Sequence, residues 1–284
     1  MADISERAES RGVSPPILRR VPRFKLYRLA SPAILVVLLV VWEFSVRAWN
    51  VPVYILPTPS KIFQALANGL SFQDFWGDQR FYIHIAATLS EAMLGFVVGV
   101  VAGVAFGGSV SQAPILEAII KPYIMGFQSL PKVAVAPLIV IWFGFGIGSK
   151  IVLVALLVFF PIMINSLAGF KSVEPELHEL MRSLSASRWQ VFRTVQVPSA
   201  LPYIFAGLEM AVVYSFIGAV VGEFVGGTRG LGVQVLQMTA AMDVSGMFAA
   251  LIILAAMGAG ASKVLQLIRS RVLYWAPSEQ NRKR

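Results

Sequence analysis

The stretch HELMRSLSASRWQVFRTVQVP, from His178 to Pro198, carries Glu179, Arg182, Arg188 and Arg193 between two long apolar runs. Its pattern is helical. Leu177, Leu180, Met181 and Leu184 recur at i, i+3, i+4 and i+7, which lines them along one face. Glu176, His178, Glu179, Arg182 and Ser183 fill the other face, and Pro175 suits a first helical turn. Ser185-Ala186-Ser187 breaks the pattern. Ser187 with Gln190 three residues on makes a capping box, so a second helix starts there, with Trp189, Phe192 and Val195 on its apolar side. Pro198 and Pro202 mark the return to apolar sequence. Such a polar helix–turn–helix is either an amphipathic hairpin resting on lipid or a protrusion gripped by a partner.

The surrounding composition places the hairpin at a membrane. Of 284 residues, 57% are hydrophobic and 14% charged, whereas soluble domains carry roughly a quarter charged residues. Runs of about 18 or more apolar residues read as transmembrane helices. Six spans are expected: Leu29–Val46, Ile83–Val110, Ile115–Phe145, Ile151–Phe170, Leu201–Val225 and Met247–Ile268. The third is interrupted by Ser129-Leu130-Pro131-Lys132. Pro131 and Pro137 each remove a backbone donor, so it is one broken helix or two elements. Pro59-Ser60 starts a short helix at the outer surface. Residues 1–28 form a disordered basic tail, 29–275 one all-α membrane domain with a cytosolic loop at 171–199, and 276–284 a second basic tail. The apolar run after Arg28 is long and lacks a small-residue cleavage site, so it reads as a retained helix.

Orientation follows from Lys and Arg. Of 24 in total, seven precede residue 29, four lie in 170–199 and six follow residue 262. Arg47, Lys61, Arg80, Lys150 and Arg229 fall on the opposite side, while Lys121 and Lys132 are ambiguous. Seventeen against five is a positive-inside pattern. It puts both termini and the hairpin in the cytoplasm, in a multi-pass protein of the cytoplasmic (inner) membrane. A net charge of +9 is explained by these flanking residues, and nucleic-acid binding needs a soluble basic face that is missing here.

Within the spans, Gly95, Gly99, Gly103 and Gly107 recur every four residues and share a face. Bare backbone there admits a neighbouring helix, either as fixed packing or as a surface that slides during transport. Glu91 and Glu209 fall deeper in the apolar runs than Glu43 and Glu223, which are expected near the outer interface. Glu91 and Glu209, deep or near the inner end, serve either as a proton or cation relay, or pair with Arg or Lys of the bundle or sit near headgroups. No enzyme emerges. Gly144–Lys150, GFGIGSK, lacks the Gly-Lys-[Ser/Thr] ending of a phosphate loop. His178-Glu179 is followed at 182 by Arg, so a HExxH metal site fails. No GxSxG elbow is present, and without cysteine there is no thiolate chemistry. No catalytic, metal or cofactor residue is expected.

The spacing of Glu179, Ser185, Val195 and Pro198 resembles the EAA loop of binding-protein-dependent ABC importer permeases, whose pattern is Glu-Ala-Ala, three residues, Gly, nine residues, Ile-x-Leu-Pro. Glu179 and Pro198 match. Leu180-Met181 stand for the two Ala, Ser185 for the Gly, and Val195 and Val197 for Ile and Leu. Leu56-Pro57-Thr58-Pro59, Trp142–Gly146 with Ser149-Lys150, Phe160-Pro161 with Asn165, Leu201-Pro202 with Ala206-Gly207-Leu208, and Gly230-Leu231-Gly232 look like nitrate/sulfonate/taurine-type permeases. Thr88-Leu89 and Pro131-Lys132 through Pro137 are similar to relatives that import pyrimidine or other vitamin precursors. The likeness runs from about residue 30 to 275.

The resemblance implies a type I ABC importer permease bundle for a small solute, a nitrate-, sulfonate- or taurine-like anion or a vitamin or pyrimidine precursor. It implies a second copy of the permease in a homodimer, two cytosolic ATPase subunits that use the ATP, and an extracytoplasmic binding protein that delivers the solute. The coupling tip is then Leu184, Ser185, Ala186, Ser187, Arg188 and Trp189, with Glu179 steadying the hairpin and Trp189 and Phe192 anchoring in the partner. Glu91, Asn165 and Glu209 are the candidate path residues, Glu standing at 91 and 209 where that type often has Arg. The alternative is a proton-coupled secondary transporter using Glu91 or Glu209.

Overall fold

The computed structural model describes residues 23–71 and 81–275, and every regular element among them is helical. The expected tails at 1–22 and 276–284 lie outside the described residues. The chain divides into two units, up to Val51 and from Pro52. The first contains α1 (Arg23–Ala48), which takes in the first expected span. It begins before residue 29, because Arg, Lys, Leu and Tyr continue a helix as readily as the apolar run does. Near its end Glu43 and Arg47, four residues apart, form an ion pair.

The second unit comprises α2 (Pro59–Gly69), α3 (Phe81–Ser111), α4 (Pro114–Ser129), a 3-10 turn (Lys132–Val135), α5 (Ala136–Phe143), α6 (Ile147–Phe170), α7 (Pro175–Ser183), α8 (Arg188–Val191), α9 (Val197–Gly226), α10 (Leu231–Ala240) and α11 (Val244–Val272). Among the described residues, α3, α6, the helical run Arg188–Gly226 and α11 are long and apolar enough to cross a membrane. The pair α4 and Lys132–Phe143 makes a fifth if it counts as one span, although it bends by 84°. The bend falls where the sequence breaks. Pro131 lacks the N–H that would continue α4, and residue 130 before it takes an extended ψ of 134°.

Helix α6 is the centre of the bundle, with α3 and α9 packed along it. The four glycines of α3 all face it. A Cβ at Gly99 would sit 2.7 Å from Val158 Cγ1 and 2.8 Å from the Ala155 carbonyl, and one at Gly103 2.7 Å from Ile162 Cγ2. Gly95 meets Val154, and Gly107 meets Met163 and Ser166. The stripe is therefore a packed seam within one bundle. On α9, Gly207, Gly218 and Gly222 meet Asn165, Leu157 and Lys150 in the same way. Between these seams lies a core of Ala92, Val154, Val158, Ile162, Phe205, Val212 and Phe216. A second cluster of Phe81, Leu231, Val235, Ala250 and Ile253 ties α10 and α11 to Leu66 of α2.

Candidate coupling hairpin and translocation path

The polar stretch folds as its pattern predicts. Pro175 opens α7, and the helix ends in a Schellman turn: Ser185 N–H donates to Arg182 O at 2.9 Å and Ala186 N–H to Met181 O at 3.0 Å. Ser185 occupies the left-handed region, at φ 55°. Gln190 N–H then donates to Ser187 Oγ at 3.3 Å while Ser187 N–H donates to Gln190 Oε1 at 2.7 Å, which is the expected capping box. Pro198 lacks a donor for the helical ladder, and Phe192–Gln196 widen into a π-helical turn before α9.

The hairpin is fixed at its root and open at its tip. Phe192 stacks on Phe170 of α6 with centroids 5.8 Å apart, and on Trp189 at 5.6 Å. Gln112 at the end of α3 donates to Gln196 at 3.0 Å. Arg188, Trp189 and Phe192 line a cavity of about 490 Å³ against Val104, Gly108 and Phe170. Outward, Leu177, Leu180, Leu184 and Trp189 are exposed, the last at 67%. Glu179 is exposed and Ala186 half-buried. The expected coupling residues thus lie on one hairpin, with an apolar stripe that nothing among the described residues covers.

The charges in the spans are mostly internal. Glu91 of α3 and Lys150 of α6 form a 2.6 Å ion pair with both side chains about 95% buried, their exposures being 4% and 5%. Glu209 of α9 takes Arg269 of α11 at 2.6 Å. Both carboxylates have the in-bundle cation that the pairing reading called for. Glu223, expected near the outer interface, is buried within the protein, at 1% exposure. Its carboxylate accepts from Thr88 Oγ1 at 2.6 Å and from the Gly232 N–H, while Thr88 accepts from Leu231 N–H at 2.9 Å. Beside it, His84 Nδ1 accepts from Gly230 N–H at 3.0 Å, and its Nε2 lies 2.6 Å from the Gln234 amide. His84, Thr88 and Glu91 share one face of α3, and the first two, with Glu223, hold the start of α10.

Asn165 stands elsewhere. It lines a cavity of about 520 Å³ with Gln128, Lys132, Val133, Leu157, Phe160, Pro161, Ile164, Met210 and Tyr214, at the break after α4. Neither Glu91 nor Glu209 reaches it. The three candidate path residues are therefore not one site. Sequence reasoning missed α10, the Glu223 network and the role of Lys132 in the cavity wall. For Lys132 the signal was present, since a Lys inside an apolar run poses the same cost as the Glu residues that were singled out.

The chain was compared with known proteins. The family described as binding-protein-dependent transport system inner membrane component matches residues 95–274. The riboflavin transport system permease protein RibX of Chloroflexus aurantiacus is 37% identical over 244 residues, which cover 84% of this chain and 87% of that one. The taurine transport system permease protein TauC of Escherichia coli is 36% identical over 201 residues, 71% of this chain and 73% of that one. Among solved structures, a chain of an amino acid ABC transporter with histidines superposes with a TM-score of 0.53 at 21% identity, covering 75% of this chain and 96% of that one; the likeness concerns the fold.

Proposed function

The chain belongs to the family of binding-protein-dependent transport system inner membrane components and is a multi-pass permease of the ABC importer type, and we propose that its Pro175–Gln196 hairpin is the handle by which cytosolic ATPase subunits drive import. The observation that carries this reading is the tip itself. Leu177, Leu180, Leu184 and Trp189 form an exposed apolar stripe on a hairpin whose root is locked by the Phe170–Phe192–Trp189 stack. An apolar, aromatic-centred surface on a rigid mount is suited to a protein groove. A rigid mount also passes displacement to α6, on which Phe170 sits, and through the π-helical turn that holds Phe192 to α9.

On this reading a second copy of the chain completes the pathway in the cytoplasmic membrane. A binding protein delivers the solute from outside, and ATP is hydrolysed in the partner subunits and bound by no residue here. The solute is small, of the sulfonate or heterocyclic kinds named for the relatives. Glu91 and Glu209, the carboxylates a proton-coupled carrier would need, are held by Lys150 and Arg269, and nothing in the arrangement favours that alternative.

The test is made on the complex reconstituted with its ATPase and binding protein. Trp189→Ala removes an aromatic anchor worth about 2 kcal/mol or more in a well-packed interface. It is expected to lower ATP-driven uptake at least about tenfold while the ATPase subunits retain basal hydrolysis. Unchanged uptake in a variant carrying both Leu184→Ala and Trp189→Ala would remove the coupling role.

A further inference from the structure

Glu91, Glu209 and Glu223 each have a partner within the bundle, and Lys132 has no carboxylate partner among the described residues. Glu91 holds Lys150, Glu209 holds Arg269, and Glu223 takes hydrogen bonds from Thr88 and Gly232. Lys132 sits where α4 ends and the chain turns by 84°. Among the described residues no carboxylate lies within ion-pair reach of it. Its ammonium donates to the Gln128 carbonyl at 3.3 Å and lies 5.0 Å from the Phe160 ring centroid. That long bond caps the end of α4 and engages one of three N–H donors. Capping alone would explain a lysine; it would not explain why this lysine lines a cavity of about 520 Å³.

The rest of the lining has a consistent character. Gln128 and Tyr214 add polar groups. Asn165 donates its Nδ2 to Pro161 O at 2.8 Å, a bond that fixes the amide and leaves its oxygen as an acceptor. Phe160, Met210 and Leu157 make the apolar wall. A fixed cation with a few polar groups in an apolar cavity of this size is the make-up of a small-molecule site. The charge selects among ligands. An ionised acceptor forms a hydrogen bond roughly twice as strong as a neutral one.

Resting on the permease reading above, we infer that Lys132, Gln128, Asn165 and Tyr214 form a binding site for a small organic anion on the translocation path. Lys132 receives the negative head, and Phe160 and Met210 lie against the body. Specificity for charge is then held partly in the membrane subunit itself.

The absence of cysteine allows a direct test. Val133→Cys, beside Lys132 on the cavity wall, introduces one thiol per copy of this chain, assembled with cysteine-free partner subunits, and Met210→Cys on α9 does so independently. The probes are the sulfonatoethyl (anionic) and trimethylammonioethyl (cationic) methanethiosulfonates, applied with and without ATP. Rates are taken relative to those with free 2-mercaptoethanol, because a thiolate itself favours the cationic reagent. With Lys132 in place the normalised anion-to-cation ratio exceeds one, and Lys132→Met lowers it roughly tenfold while Lys132→Arg preserves it. Millimolar butanesulfonate slows the reaction and uncharged riboflavin does not. A ratio indifferent to Lys132→Met, a normalised ratio below one, or thiols that react in neither nucleotide state overturns the site. Protection by riboflavin, or by neither solute, overturns its assignment to anions. The reaction needs no ATP turnover, so a failed site and a failed coupling hairpin give different results.

Discussion

Ser185 decides how sharply the hairpin turns. Its φ of 55° is a conformation that costs an L-residue roughly 1–2 kcal/mol, less where a short polar side chain bonds locally, and glycine very little. Ser185→Gly is therefore tolerated, whereas Ser185→Val, branched at Cβ, costs about 1–2 kcal/mol and frays the turn. Hydrogen exchange at the Ser185 and Ala186 amides, which close it, reads the difference. The sequence pointed to this position by spacing alone, Ser standing where the resembling family has Gly. A second residue-scale prediction concerns Lys150. Removing it by Lys150→Met leaves Glu91 charged and buried without its cation, at a cost of about 3–5 kcal/mol. Glu91→Gln with Lys150→Met restores most of that loss. Thermal unfolding of the purified permease measures both, and a single variant as stable as the parent would mean that the pair carries no structural load.

At the scale of elements, the α3–α6 seam is set by bare backbone. Even a methyl at Gly99 meets the Ala155 carbonyl at 2.8 Å, and a carbonyl on a neighbouring helix cannot rotate away as a side chain can. Gly99→Ala is thus expected to destabilise by about 1–3 kcal/mol, the range for overpacking. At Gly126 of α4 a Cβ meets nothing within 4 Å in this chain, and Ala there is neutral or stabilising by up to about 1 kcal/mol; unfolding temperatures of the two variants check the contrast. The four-residue spacing of glycines was legible because helical periodicity is local. Which helix they face was not, since α6 begins some forty residues later, at Ile147. The same limit hid α10. Its start is held by Thr88 and His84, 143 and 146 residues away, and by Glu223 beneath Gly230, whose φ is 130°. Gly230-Leu231-Gly232 was visible as a motif, but its reason, a carboxylate that leaves no room for a Cβ at either glycine, lies in contacts no short window contains.

At the scale of the molecule, the side on which each segment lies depends on whether the bent pair Pro114–Ser129 and Lys132–Phe143 crosses the membrane. The hairpin and the end of α11 are separated by two apolar runs, α9 and α11, so they share a side whatever the bent pair does. Between α2 and the hairpin lie α3, the bent pair and α6. Three crossings put α2 opposite the hairpin; two crossings, with the bent pair re-entrant, put it on the same side. The basic residues favour three, because the hairpin and the C-terminal segment carry Lys171, Arg182, Arg188, Arg193, Lys263, Arg269 and Arg271 while the α2 region carries Lys61 and Arg80. Trp189→Cys and Lys61→Cys, both exposed positions in a chain without its own thiols, separate the cases. A membrane-impermeant maleimide is expected to label Lys61→Cys in intact cells and Trp189→Cys only in inside-out vesicles. Labelling of both from one side would make the bent pair a re-entrant loop, and labelling of Trp189→Cys from outside would place the hairpin beyond the reach of any cytosolic ATPase.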